Sequence, residues 1–329
     1  MSSFISPIAK PFSRELLDDL LALVSGNARA RWPQVTYLLN SDVAWRLPGS
    51  APEQNIRLWY DDLGVAAYAW FESNGPVAFD IRIDLGFDSS VCTELVYWLE
   101  ERRRQFPPMF PWLLSLTSMQ DWQDALSNDL PAKSDTTRLL QVSALDGDKE
   151  RCEFLQASGF EPTQHFAFSL TRSLDDLIPE APLPAGYTIR PVEEADFEQR
   201  VDTHRDAWFK STFTLEQYQS IRATPIFESS LDLVAESPTG EFGSYCIGWI
   251  DRELGIGSFE PVGTRPSHRR LGLGQSVNCE GLRRMKTMNM HSAKIGTAGF
   301  NDRAFGLYTS CGFKVIDKDR TWVKALKDV

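Results

Sequence analysis

The sequence predicts an α/β (α+β) chain of two tandem domains, each a mixed, mostly antiparallel sheet flanked by helices. Three observations lead there. The 329 residues exceed what one core ordinarily serves, and 42% of them are hydrophobic, enough for two cores. Strand-like and helix-like periodicity runs through the first half, stops at a proline-rich stretch and starts again. The two halves also end alike: FLQASGF (Phe154–Phe160) lines up with LYTSCGF (Leu307–Phe313), which suggests an internal duplication.

In the first half, 5–12 reads as a strand. Ser13 then caps an amphipathic helix carrying Leu16, Leu17, Leu20, Leu21, Leu23 and Val24 on one face, with Gly26 as its end. A short helical stretch near 35–39 precedes strands at 56–60, 65–71 and 77–85, separated by turn-forming Asp-Asp-Leu-Gly and Ser-Asn-Gly-Pro. A helix over 90–105, a strand near 112–116 and a helix over 149–157 follow, with two closing strands after it. The Glu-Glu-Arg-Arg-Arg run, 100–104, reads as a solvated helix end where cations complement the dipole.

The stretch 173–186, SLDDLIPEAPLPAG, lacks periodicity, and its three closely spaced prolines favour extended backbone, as a linker requires. It divides the chain into 1–172 and 187–329. The second half reads as a strand over 187–192, helices over 195–208 and 215–223, and strands over 231–236, 245–251 and 257–264. A helix to Asn289, a strand over 293–297, a helix over 302–311 and strands over 314–317 and 321–325 complete it.

Chemistry concentrates in that second half. GSFEPVGTRPSHRRLGLG (Gly257–Gly274) is a short apolar strand followed by a basic, glycine-punctuated turn that opens a helix. Gly272 and Gly274 let the backbone approach an anion closely, and the helix start and Arg269 add positive potential. A pyrophosphate is the best match. Downstream, Asn301 is an N-cap, Ala304, Phe305, Leu307 and Tyr308 follow at helical spacing, and Gly312 ends the helix.

Together, R-x-x-G-x-G and N-x-x-A-x-x-L-Y-x-x-x-G-F resemble the acetyl-CoA signature of the GNAT superfamily of N-acetyltransferases. The resemblance implies the acyl-CoA N-acyltransferase fold, with acetyl-CoA as co-substrate. It implies that Val262, Gly263 and Thr264 pair with the pantetheine arm, Val262 also polarising the thioester carbonyl. Arg269, Arg270, Leu271, Gly272, Leu273, Gly274 and Gln275 would hold the pyrophosphate, and Asn301 and Ala304 would line the other side of the cofactor. Glu260 shares a strand face with Val262 and Thr264 and is the candidate base, acting through a water; its alternative is an ion pair with a nearby arginine. Tyr308 is the candidate acid that reprotonates the departing thiolate.

The first half departs from this pattern. Leu155 stands where Tyr308 does, and LGFDSSV (Leu85–Val91), with Asp88 and no arginine, stands where the phosphate turn should be. The expectation is a degenerate GNAT domain that scaffolds the second or helps wall its substrate cleft. Trp208, Phe209, Phe213, Tyr218 and Phe227 suit an amine acceptor with an apolar or aromatic body, or equally a core. His268 reads as solvated beside the phosphates, and His204 as a conceivable second base.

A net charge of −11 argues against a nucleic-acid partner and leaves room for a cationic small molecule. The five cysteines show no C-x-x-C pairing, so neither a disulfide framework nor a metal site is indicated. No signal-like start or membrane-length apolar run appears, which predicts a cytoplasmic monomer or homodimer without membrane contact. The resulting expectation is an N-acetyltransferase acting on a small primary amine; the alternative is a non-catalytic acyl-CoA-binding or interaction protein.

Overall fold

The computed structural model describes residues 7–32, 37–49, 51–72, 76–106, 138–208 and 210–326. The strand expected near 112–116, and Phe209, lie outside the described residues.

The first half opens with β1 (Ile8–Pro11), α1 (Leu17–Arg31) and α2 (Asn40–Arg46), followed by β2 (Ile56–Asp61), β3 (Gly64–Trp70) and β4 (Ala78–Ile81). α1 does not stop at Gly26 but runs to Arg31, because the turns on either side supply enough buried contact to carry a glycine. The stretch expected to be helical near 35–39 is non-helical over its described part, and α2 starts one residue later, where the Asp42 carboxylate accepts from the Leu39 N–H at 2.7 Å. After α3 (Ser90–Arg104) come β5 (Arg138–Leu145), α4 (Lys149–Ala157) and β6 (Glu161–Ser173). The arginine run at the end of α3 is not simply solvated. Arg103 is buried, Arg102 donates to Asn55 at 2.8 Å, and Arg104 pairs with Glu101 at 2.6 Å.

The second half contains β7 (Thr188–Pro191), α5 (Phe197–Ala207), α6 (Leu215–Arg222), β8 (Asp232–Glu236), β9 (Phe242–Asp251) and β10 (Ile256–Thr264). α7 (Leu273–Thr287), β11 (Ser292–Ala298), α8 (Asp302–Ser310) and β12 (Lys314–Leu326) complete it. The two strands expected over 314–325 are one continuous strand of 13 residues, and β6 is its 13-residue counterpart.

That length changes the topology. β1-β2-β3-β4 form one sheet, and an eight-stranded sheet runs β5-β12-β6-β11-β10-β9-β8-β7. β6 and β12 pair antiparallel from Lys314↔Thr171 to Val323↔Glu161. The far end of β6 pairs with β11 (Ser173↔Ser292), while the far end of β12 pairs with β5 (Leu326↔Arg138). Each half therefore lends its last strand to the other. The cores follow: Trp322 and Leu326 of β12 pack with Leu140, Leu155 and Phe160 of the first half, whereas Leu170 and Leu174 pack with Val277, Leu282 and Ile295 of the second.

The halves also meet through helices. Ala44 of α2 joins the cluster of Tyr218, Phe242, Tyr245 and Trp249, and Ala28 and Leu39 pack on Ile256 of β10. α2 thus lies directly over the strand that carries the signature residues.

Candidate active site

β10 and β11 run parallel and in register only over Ile256↔Ser292, Gly257↔Ala293 and Ser258↔Lys294. Beyond Ser258 they part. β10 carries a cis Glu260–Pro261 peptide there, and its register on β9 shifts between Phe259 and Val262 before resuming at Val262↔Cys246, Gly263↔Tyr245 and Thr264↔Ser244. A fork of this kind exposes strand-edge amide and carbonyl groups to anything that enters it. Gly263 is bare for a steric reason: a Cβ there would meet the Tyr245 ring at 2.5 Å.

At the mouth of the fork lies the basic turn. Gly272 caps α7 with φ +79°, a left-handed conformation, and Arg270 precedes it at φ +66°. The first bond of the helix runs from the Ser276 N–H to the Gly272 carbonyl, so the amides of Leu273, Gly274 and Gln275 point off the helix start. Arg269, Arg270, Leu271 and Gly272 are exposed. Arg269 is steadied by the carbonyls of Thr264 at 3.2 Å and Ala207 at 3.3 Å, and Arg303 lies near enough for mutual repulsion. Gln275 ties α7 to α8 through the Ser310 carbonyl at 3.1 Å.

α8 forms the other side. The Asn301 side chain accepts from the Ala304 N–H at 3.2 Å, the expected N-cap. Tyr308 is 8% exposed and packs against Phe313; its hydroxyl has no hydrogen-bond partner among the described residues. Burial, followed by the neighbouring Glu260 charge, raises its pKa well above that of free tyrosine, so it holds its proton at neutral pH. A buried phenol beside an open fork can donate that proton to a developing anion.

Glu260 is half-buried, and no ion pair involves its carboxylate among the described residues. The arginine alternative is not realised, since Arg46, the nearby guanidinium, pairs with Glu72 at 3.4 Å. Burial raises the Glu260 carboxyl to about 7, Asp42 pushes in the same direction, and Arg46 opposes them. A carboxylic acid poised near neutrality can act as a base under physiological conditions.

The floor beside Glu260 is polar. Phe259, Ala293, Ile295 and Leu170 point to the α7 side, so Ser258, Glu260, Lys294 and Thr171 share the opposite face. Val262 packs on the α7 side, so the face Glu260 was expected to share with Val262 and Thr264 is broken by the register shift between Phe259 and Val262. Asp319 lies within charge reach of Lys294; burial raises the Asp319 pKa and lowers that of Lys294.

Several expectations are corrected here. His268 is buried, not solvated, bonded to the Tyr187 hydroxyl at 2.8 Å and to Glu241 at 3.0 Å. His204 is buried against the Tyr245 hydroxyl at 2.7 Å. Burial, aided by Arg200 and Arg205, holds it down at about 3, too weak to take a proton from an amine. The aromatic residues near α5 and α6 are largely core: Tyr218 is fully buried, and Phe213 and Phe227 pack on its cluster. Among the described residues of this set, only Trp208 shows a large exposed face, at 45%.

The first half repeats this geometry without the opening. Asp148 caps α4 by accepting from the Arg151 N–H at 3.2 Å, as Asn301 does from Ala304. β4 and β5 also form a fork, joined by the parallel bridge Val77↔Val142. Arg151, the counterpart of Ala304, fills it: its guanidinium donates to the carbonyls of Phe79 and Ser143, both at 3.0 Å, and lies 3.9 Å over the Tyr37 ring.

No family model matches the chain. Over 136 residues it is 32% identical to the mycothiol acetyltransferase of Kineococcus radiotolerans, a match covering 40% of this chain and 44% of that relative, thus less than half of its length. A GCN5-related N-acetyltransferase from Sphaerobacter thermophilus superposes with a TM-score of 0.62 at 18% identity, over 98% of this chain and 96% of that one. A tandem GNAT protein from the clavulanic acid biosynthesis pathway also reaches 0.62, at 13% identity and 98% coverage of both chains. The chain is a tandem GNAT-fold protein.

The GNAT fold makes the missed residues intelligible. The charges around Glu260 that come from outside its own domain, Asp42 and Arg46, carry no motif, and only the docking of α2 on β10 brings them there. Lys294 sits one position from the Ala293 expected at a strand start, and alternation alone would have placed it opposite the core.

Proposed function

We propose that this GNAT-fold chain is an acetyl-CoA-dependent N-acetyltransferase whose second half, 187–329, transfers acetyl to a primary amine of a small molecule. The first half, 1–172, acts as a non-catalytic partner that covers the cleft, with 173–186 joining them. The observation that carries this reading is the open fork between β10 and β11, with Glu260 and Tyr308 beside it and the basic helix start at its mouth.

Acetyl-CoA fits that arrangement as co-substrate. Arg269, Arg270, Leu271, Gly272, Leu273, Gly274 and Gln275 supply amides and cations for the pyrophosphate. Val262, Gly263 and Thr264 present strand-edge groups to the pantetheine arm, the Val262 amide polarising the thioester carbonyl. Asn301 and Ala304 line the opposite wall, where a small side chain leaves the space that Arg151 fills in the first half.

The amine arrives mostly protonated, at a cost of about 4–5 kcal/mol to neutralise at pH 7 for a lysine-like group. Glu260, through a water, takes that proton. The neutral amine attacks the carbonyl carbon, and the adduct's nitrogen gives its extra proton to solvent. The adduct collapses with C–S cleavage, and Tyr308 protonates the leaving thiolate and regains its proton from solvent. The polar floor of Ser258, Lys294 and Thr171 favours a polar acceptor over one with an aromatic body.

The test is thiol release from acetyl-CoA with polyamines, amino acids, aminoglycosides, cysteinyl pseudo-disaccharides and peptide N-termini as acceptors. Release with one class, together with the acetylated amine by mass spectrometry, is expected. Heat protection by acetyl-CoA without any release would instead support the non-catalytic acyl-CoA-binding reading.

A further inference from the structure

From the first half, α2 packs on the strand that carries Glu260, and its docking is specific. The Ser41 hydroxyl bonds the Ser258 hydroxyl at 2.9 Å, two residues before Glu260 on the same strand face. Trp45 packs its ring on His204 at 5.8 Å and on Phe213 at 5.3 Å, pinning the helix to the second half from its other side. Leu39, just before the helix, packs on Ile256. Beside these anchors, Asp42 and Arg46 stand one helical turn apart, as i and i+4, and so project from one side of the helix.

We propose that the first half completes the active site through α2, with Asp42 and Arg46 as opposed positioning charges that set when Glu260 is ionised. This rests on Glu260 being the base. Neither side chain need touch the substrate; each acts on Glu260 through space, Arg46 favouring the carboxylate and Asp42 the acid.

Among the described residues, the other groups around Glu260 are accounted for. Tyr308 on α8 and Tyr245 on β9 both keep their protons at neutral pH, because burial raises them far above the free phenol. Trp249 on β9 donates to the Glu260 backbone carbonyl at 2.7 Å and carries no charge. Lys294 on β11 feels both α2 charges, and Glu72 holds Arg46 from the first half's side while leaving 39% of the arginine side chain open. Arg46 and Asp42 are thus the formal charges that bear on Glu260 itself.

The experiment titrates the carboxyl carbon of Glu260 by NMR in the full chain with 13C-labelled glutamate, assigning the resonance by its loss in Glu260→Gln. Arg46→Gln should move the midpoint up by about half a pH unit or more, and Asp42→Asn, which can still accept from the Leu39 N–H, should move it down. Arg46→Lys, which keeps the charge, should restore the original midpoint. No movement in any variant, equal shifts in Arg46→Gln and Arg46→Lys, or an upward shift in Asp42→Asn would overturn the proposal. The base role is tested separately: full turnover in Glu260→Gln would remove it even where the titration shifts stand.

Discussion

At the residue scale, the account turns on two side chains whose protonation states are pushed apart. Glu260, raised to about 7, is poised to lose a proton near neutrality, while Tyr308, raised far above a free phenol, keeps its own. Acetyl transfer should therefore rise with pH through about 7, and Glu260→Gln should remove that rise and slow turnover by about a hundredfold or more; a pH–rate profile of kcat/KM checks both. Tyr308→Phe should leave acetyl-CoA affinity unchanged and lower kcat by a similar factor, which titration calorimetry and steady-state kinetics separate. Stability carries the same signature. Because the folded-state pKa of Glu260 lies above its unfolded value, its proton stabilises the fold at low pH and this contribution is lost as pH rises through about 7. Glu260→Gln should then raise Tm at pH 8 and change it far less at pH 5, measured by thermal unfolding.

At the element scale, the phosphate turn and the fork are separable from the chemistry. Gly272 holds φ +79°, so Gly272→Val should add about 1–3 kcal/mol of backbone strain and abolish acetyl-CoA binding through the displaced amides. Arg151 does the converse in the first half by occupying a fork. Arg151→Met should destabilise the fold by about 2–4 kcal/mol, since the carbonyls of Phe79 and Ser143 lose a buried donor, as denaturant unfolding would show. Much of this scale was legible in the sequence. The Asn301 cap, the turn at Gly272 and the strand carrying Glu260 have local signatures, and local signatures survive folding unaltered. Arg151 was not legible, because an arginine on a helix reads as solvent-facing until the strands beside it part. His268 failed for a related reason, and the α5–α6 aromatics could be read either as an acceptor wall or as core: their partners Tyr187, Glu241 and Trp45 are distant in sequence.

At the scale of the molecule, the exchange of β6 and β12 joins two GNAT-like halves into one body. Sequence periodicity placed strand after both α4 and α8 but cut β6 and β12 each in two, because no local feature records that one long strand pairs with strands of both halves. Trp322 and Leu326 lie in the first half's core and Leu170 and Leu174 in the second's, so neither core is complete without the other half. Thermal unfolding followed by calorimetry and by tryptophan fluorescence should show one coincident transition; two separated transitions would mean that the halves hold their cores independently. The docking of α2 over β10 makes the first half part of the site although its own fork is filled.

The central claim, that two related halves share one working slot, is met most directly by calorimetric titration of the full chain with acetyl-CoA. The account predicts one site per chain, lost in Gly272→Val and retained in Leu155→Ala of the first half. Two sites per chain, or binding that survives Gly272→Val, would contradict it.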